Sequence, residues 1–268
     1  MHHLCFGCNG STGDMSADDS ARKIQKIVPG WNAMFAGNDM SHLTPIRISV
    51  GKRLAVSEPI TVEAVTEAFV NAYKEQLKLK AETEVLGTLG YTLEDFKANG
   101  LEQLGAEAFG RLLYEIQQQA IDLTFLVAGF DGDQAHIFTV TSPGKVDHYS
   151  ELGFWAIGSG QTHALGSLFN LKRRIRFIAR GSALYRLCEA KFNAENALGV
   201  GRATAISVIE PEKKQQLIYG AEALRPIWEK TRVIEVPPDA TEVAGKLLEP
   251  EPTPEAPSQP DSSQSPKP

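Results

Sequence analysis

The sequence runs to 268 residues, 42% of them apolar, which is enough for one substantial core and fits one large domain better than two small ones. Residues 237–268 hold six acidic and two basic side chains, so −4 of the formal net charge of −6 lies there and −2 in everything before. A body so near neutrality gives no electrostatic case for nucleic acid or an anionic membrane as partner.

There is no apolar run near the ~18 residues that span a bilayer, and the opening "MHHLCFGCNG" lacks the basic-then-apolar layout of a signal peptide. The three cysteines, Cys5, Cys8 and Cys188, are too few for a disulfide framework. The reading expects a cytoplasmic protein.

Residues 1–20 are rich in Gly, Ser and Asp without periodicity and read as a flexible arm. "CFGC" with His2 and His3 is formally a set of four soft or borderline ligands, but adjacent histidines so close to Cys5 match no familiar zinc spacing, and no metal or other cofactor is expected. Next come two short apolar-rich runs around Pro29-Gly30, a type II turn in which Pro29 presets the first central φ and Gly30 takes the positive second one. From Thr61 to Lys80, Val62, Val65, Phe69, Tyr73 and Leu77 recur on one helical face, and Leu101 to Ala120 repeats the pattern through Leu104, Phe109, Leu112, Leu113 and Ile116.

The period then changes. "IDLTFLVAGFD" reads as a buried strand, "DGDQ" as a tight turn, "AHIFTVT" as a second strand and "SPGK" as another turn. Helical segments follow at about Gln161–Asn170 and Ser182–Leu198, then strands near Ala203–Ile209 and Gln216–Tyr219. Grouped strands and paired helices lack the regular βαβ alternation of a parallel sheet and predict an α+β protein with antiparallel sheets and helices packed outside. Seven of the 15 prolines fall in the last 20 residues, too little apolar material to order itself. The expected organisation is a flexible arm at 1–20, a globular domain at 21–236 and a disordered tail at 237–268. The basic run "LKRRIRFIAR", with Phe177 its only aromatic, reads as a solvated or subunit-facing stretch rather than an RNA site.

In order, "ARKIQKI…MFAGND", "FLVAGFDGDQAHIFTVTSPGKV" and "GFWAIGSGQTHALG" resemble the proteasome family of N-terminal-nucleophile hydrolases, over roughly Ala21 to Arg232. The resemblance implies a four-layer αββα sandwich, two antiparallel sheets between helix layers. It implies a threonine-type peptidase: an N-terminal threonine attacks the peptide carbonyl and its own amine serves as base. By the same resemblance a lysine lowers the pKa of the threonine hydroxyl, and a glycine N–H donates to the oxyanion.

Lys23 matches that lysine by its place in "RKI", and Gly37 matches that glycine in "FAG". Ser159 in "GSG" matches a serine near the nucleophile's amino group and also reads as an N-cap for the following helix. "FNAENALGVG" sets Asn196 where active members carry an aspartate and Gly199 where they carry a serine, with Glu195 the neighbouring acid. Phe35 and Asp39, either side of Gly37, are the candidate substrate-binding residues, Phe35 partly filling the pocket for the residue before the cut.

Twenty-two residues precede Lys23, whereas two strands, their turn and a loop need about 25–30. No threonine begins the chain, and neither Thr12 nor "SADDSA" is far enough from Lys23 to supply the missing hairpin. Two expectations follow: a truncated gene start of an active peptidase subunit, or a non-catalytic structural subunit of the same family. The resemblance also implies a homo-oligomeric ring, an ATP-dependent unfoldase as feeding partner, and peptides or unfolded proteins as substrate.

Overall fold

The computed structural model describes residues 3–8, 23–172, 180–211, 215–218 and 221–231. Thr12, the stretch at 16–21, most of the basic run (173–179) and the tail at 237–268 lie outside the described residues. Chain contacts divide the protein into Met1–Trp228 and Glu229–Pro268; of the second, residues 229–231 are described, as the end of a helix.

The protein is α+β with antiparallel sheets. Five strands, β2 (Ile24–Val28), β3 (Trp31–Gly37), β4 (Leu123–Asp131), β5 (Gln134–Thr141) and β6 (Lys145–His148), form one sheet in that spatial order, every neighbouring pair antiparallel. Three more, β1 (His3–Cys8), β7 (Thr204–Ile209) and β8 (Gln215–Ile218), form a second antiparallel sheet with β7 in the middle. The β2–β3 hairpin turns at Pro29-Gly30, and Gly30 takes a φ of +86°, as the type II turn requires.

Between β3 and β4 lie α1 (Leu43–Leu54), α2 (Val62–Ala81) and α3 (Leu93–Gln117). Thr61 caps α2 by accepting the Ala64 N–H at 3.2 Å, and the Asp131 carboxylate accepts the Val62 N–H at 3.0 Å, tying the end of β4 to the same helix start. α3 starts eight residues before the expected Leu101, capped by Thr92, which accepts the Asp95 N–H at 3.1 Å. It breaks at Gly105, whose φ is +77°, and its two halves meet through stacked Phe96 and Phe109 rings 4.7 Å apart. After β6 come α4 (Gln161–Lys172) and α5 (Arg180–Ala194), and after β8 the short α6 (Arg225–Thr231).

Strand alternation separates two sets of contacts on the five-stranded sheet. Trp31, Ala33, Phe35, Leu123, Phe125, Val127, Phe138 and Val140 pack with Ile46, Val50 and Leu54 of α1 and Val65, Phe69 and Tyr73 of α2. The intervening Met34, Leu126, Ala128 and Phe130 cluster with Ile209 of β7. Between the same strands, Asn32 Nδ2 donates to Ser207 Oγ at 2.8 Å, a buried polar pair 175 residues apart in sequence. On β7 the alternate residues Ile206 and Val208 pack with Cys188 and Phe192 of α5 and Trp228 of α6.

Two findings depart from the sequence reading. His3–Cys8 is a strand within the expected arm at 1–20, paired along its whole length with β7; averaging over the Gly- and Ser-rich stretch hid a segment whose partner lies some two hundred residues away. The helix α1 has no counterpart in the sequence reading; its buried residues, Ile46, Val50 and Leu54, keep helical spacing although Pro45 and Gly51 lie within it.

Candidate functional site

The end of the β2–β3 hairpin carries the first group of candidate residues. Ile24 pairs with Met34, so one residue further the antiparallel register sets the half-buried Lys23 level with Phe35, two residues from Gly37. Gly37 has a φ of +138°, and a Cβ there would fall 2.1 Å from the Asp122 carbonyl oxygen, so a side chain is excluded. That oxygen accepts the N–H groups of Asn38 and Asp39 at 2.9 and 3.0 Å.

Asp39 completes a clasp between the end of β3 and the start of β4. Its carboxylate accepts the Asp122 N–H at 2.8 Å and lies 3.6 Å from Lys80 Nζ, while Asn38 Nδ2 donates to the Asp122 carboxylate at 2.6 Å. The Asp122 N–H, with the Lys80 and His42 charges and against modest burial, holds the Asp39 carboxyl below its ordinary value. Phe35 is 6% exposed and sits in the apolar cluster with α1 and α2.

The "GSG" turn meets this end of β3. Gly158 takes a φ of +87°, and a Cβ on it would lie 3.3 Å from Ala36 Cβ, next to Gly37. Gly160 is buried, and a Cβ on it would lie 2.8 Å from Ala194 Cβ and 3.0 Å from Val200 Cγ2. The turn is thus wedged between β3 and the loop after α5, with the exposed Ser159 at its middle. Gly160, not Ser159, stands immediately before α4, and its carbonyl accepts the Ala164 N–H at 3.0 Å. The N-cap expected of Ser159 falls one residue later because the helix begins at Gln161.

Asn196 lies two residues beyond α5. Exposed, it turns back on its own helix: Nδ2 and the backbone N–H both donate to the Asn193 carbonyl, at 2.9 and 3.2 Å. Glu195 faces the interior, its side chain 10% exposed, and both oxygens accept from the Arg225 guanidinium at 2.8 Å. Lys191, 2% exposed, is its second ion-pair partner and also donates to the carbonyls of Gly201 and Arg202 at 2.8 and 3.3 Å. Burial pushes the Glu195 carboxyl up, but hydrogen bonds from Arg225 and Lys191 and their charges outweigh it and leave it below its ordinary value.

The fold therefore joins three segments in contact: the end of the Lys23–Gly37 hairpin, the Gly158–Gly160 turn and the Ala194–Val200 loop. Exposed Gly37, Ser159 and Asn196 supply a main-chain strand end, a hydroxyl and an amide, groups suited to hydrogen-bonding a peptide backbone or an oxyanion. Among the described residues no group of three or more His, Cys, Asp and Glu side chains is placed to hold a metal.

Asp122, Lys80, Lys191 and Arg225 belong to this region and were not singled out in the sequence. The i, i+4 spacing of Lys191 and Glu195 was a usable signal for one of these contacts; nothing local marks Arg225 or Asp122. In comparisons with known proteins, the chain matches no family model and no curated sequence.

Proposed function

We propose that this chain is a proteasome-like subunit of the threonine-type peptidase class, with the αββα sandwich of the N-terminal-nucleophile hydrolases, acting within a homo-oligomeric ring. The observation that carries the reading is the convergence of the Lys23–Gly37 hairpin end with the "GSG" turn and the Asn196 loop, both of which lie more than 100 residues further along the sequence. The contact of Met34, Leu126, Ala128 and Phe130 with β7, and the helices packed on the far side of each sheet, support the layered arrangement. Among the described strands β1 is at the edge of its sheet, an edge to which a preceding strand can add.

On this reading a peptide carbonyl lies beside Gly37, whose N–H donates to the oxyanion as the tetrahedral intermediate forms. The nucleophile is the hydroxyl of an N-terminal residue on a strand beside β1. Its proton passes to the α-amine and on to the departing peptide amine; water then releases the acyl group by the same exchange. Lys23 holds the nucleophile's pKa down through its charge. Ser159 orients the amine. The substrate is an unfolded chain threaded into the ring, which an ATP-dependent unfoldase would supply.

The test is hydrolysis of fluorogenic peptides. The 268-residue chain is expected at background, and a form extended by a first β-hairpin with a leading threonine is expected to turn over. In that form Lys23→Ala should abolish turnover with oligomer mass unchanged in analytical ultracentrifugation. Turnover insensitive to Lys23→Ala, or a monomer at micromolar concentration, would overturn the reading.

A second reading, a non-catalytic ring subunit, is favoured by one set of contacts. Gly37 is required by its approach to Asp122, Asn196 is bonded to its own helix and Glu195 is committed to two cations. Assembly with no turnover in either form would select it.

A further inference from the structure

Lys191 is the most deeply buried charge whose position is described, 3% exposed as a residue, and the peptide chemistry above makes no use of it. Its ammonium has three N–H donors, and three oxygens surround it: the Glu195 carboxylate and the carbonyls of Gly201 and Arg202. Arg225 adds a forked pair to Glu195 and lies over the Phe192 ring, its guanidinium carbon 4.3 Å from the centroid. The group thereby joins the last turn of α5, the loop entering β7, and α6.

That loop is also the wall against which the "GSG" turn rests. Ala194 and Val200 fall on either side of Glu195 and Asn196, and both touch the position of Gly160 so closely that a Cβ there would have no room. At the other end of the same turn Gly158 abuts Ala36. A displacement of the Ala194–Arg202 segment by a few tenths of an ångström is therefore passed to Gly160, and through it to Ser159 beside the end of β3.

We propose that Lys191, Glu195 and Arg225 are positioning residues for the candidate site: they lock the loop after α5 and so seat the Gly158–Gly160 turn, and Ser159 with it, against the end of β3. The role in catalysis rests on the peptidase reading, but the mechanical coupling does not. The internal ammonium fastens the loop carbonyls directly, and Arg225 fixes the carboxylate that completes its shell. Arg225 thus reaches Ser159 through Glu195, Lys191 and the loop.

Amide hydrogen exchange of the full chain tests the coupling. The reporters are the Gln161 N–H, bonded to the Gly158 carbonyl, and the Ala164 N–H, bonded to the Gly160 carbonyl, at 3.0 Å each, with β4 and β5 amides as the reference. In Lys191→Met the two reporters should exchange at least about tenfold faster while the reference strands keep their rates. Arg225→Lys, which keeps the charge and loses the fork, should give the same pattern more weakly, and it decides the matter if Lys191→Met does not fold. Uniform acceleration across all elements, or acceleration confined to residues 195–203 with Gln161 and Ala164 unchanged, would overturn the proposal.

In the threonine-extended form, Arg225→Lys should lower kcat for a fluorogenic peptide several-fold with KM held. A rise in KM with kcat unchanged, or no fall in kcat while the reporters accelerate, would overturn the catalytic part. Reporter acceleration in a protein that hydrolyses no peptide in any form would uphold the coupling and sink the peptidase reading instead.

Discussion

The face of the five-stranded sheet toward α1 and α2 and the corner where α5 runs into β7 are held by opposite means. On the first, alternate residues of β3, β4 and β5 meet the stripes Ile46–Val50–Leu54 and Val65–Phe69–Tyr73 in an apolar layer, Phe125 lying against Phe69 and Tyr73 with ring centroids 5.2 and 6.0 Å away. On the second, one carboxylate binds two cations, and one of those cations binds two loop carbonyls. The apolar layer is held by burial and dispersion, which are non-directional, whereas the polar corner is held by directional, charge-assisted hydrogen bonds. The candidate site lies between them, taking Gly37 from the strand end and the seat of Ser159 from the corner.

The comparison can be broken at its apolar side first. Phe125→Ala removes a ring that is 1% exposed, and should cost about 4 kcal/mol in urea unfolding, the largest effect expected here. A much smaller loss would mean that α1 and α2 collapse onto the gap.

Glu195→Ala should come next, at about 3 kcal/mol, because it leaves Lys191 and Arg225 without their shared counter-charge in a largely buried setting. Its pH dependence sharpens the contrast. The Glu195 carboxyl titrates lower folded than unfolded, so its contribution is complete above the unfolded pKa and is lost as the pH falls through the folded one. The deficit of Glu195→Ala relative to wild type should be full at neutral pH and shrink in acid, while that of Phe125→Ala should not change between the two.

Gly37→Ala forces a Cβ toward the Asp122 carbonyl at a φ of +138° and should cost about 2 kcal/mol. Thermal melts should show the loss with the same cooperativity as wild type if the strain stays at the β3–β4 clasp. The smallest effect should be Tyr73→Phe. The buried Tyr73 hydroxyl donates to the Leu123 carbonyl, with the Val140 carbonyl a second, longer acceptor at 3.4 Å, so its removal should cost about 1 kcal/mol, measured by urea titration; a neutral or stabilising result would show that the hydroxyl adds no net stability.

Legibility follows the same division. The helix from Thr61 was readable because its apolar residues recur within a turn or two, and the β4–β5 hairpin because two alternating runs flank "DGDQ". The hairpin ending at Gly37 was readable from Pro29-Gly30, and Lys23 and Gly37 do share one end of it. Asp39 was singled out for a substrate, and the structure engages it with Asp122 and Lys80; no local pattern foretells that β4 will begin alongside. Glu195 was noticed as an acid near Asn196, yet its forked partner, Arg225, is 30 residues away in sequence.

The sequence by itself determined the helix from Thr61, the turns at Pro29-Gly30 and "DGDQ" with the strands flanking them, and that the class is α+β, because periodicity and turn chemistry act over a few residues. Only the tertiary structure decided that β7 takes the middle of the second sheet with His3–Cys8 along its edge, that Asn32 meets Ser207, and that "GSG" is wedged between Ala36 and Ala194. Those outcomes depend on which distant surfaces bury and satisfy one another at once, a condition on the whole chain that no short stretch of it encodes.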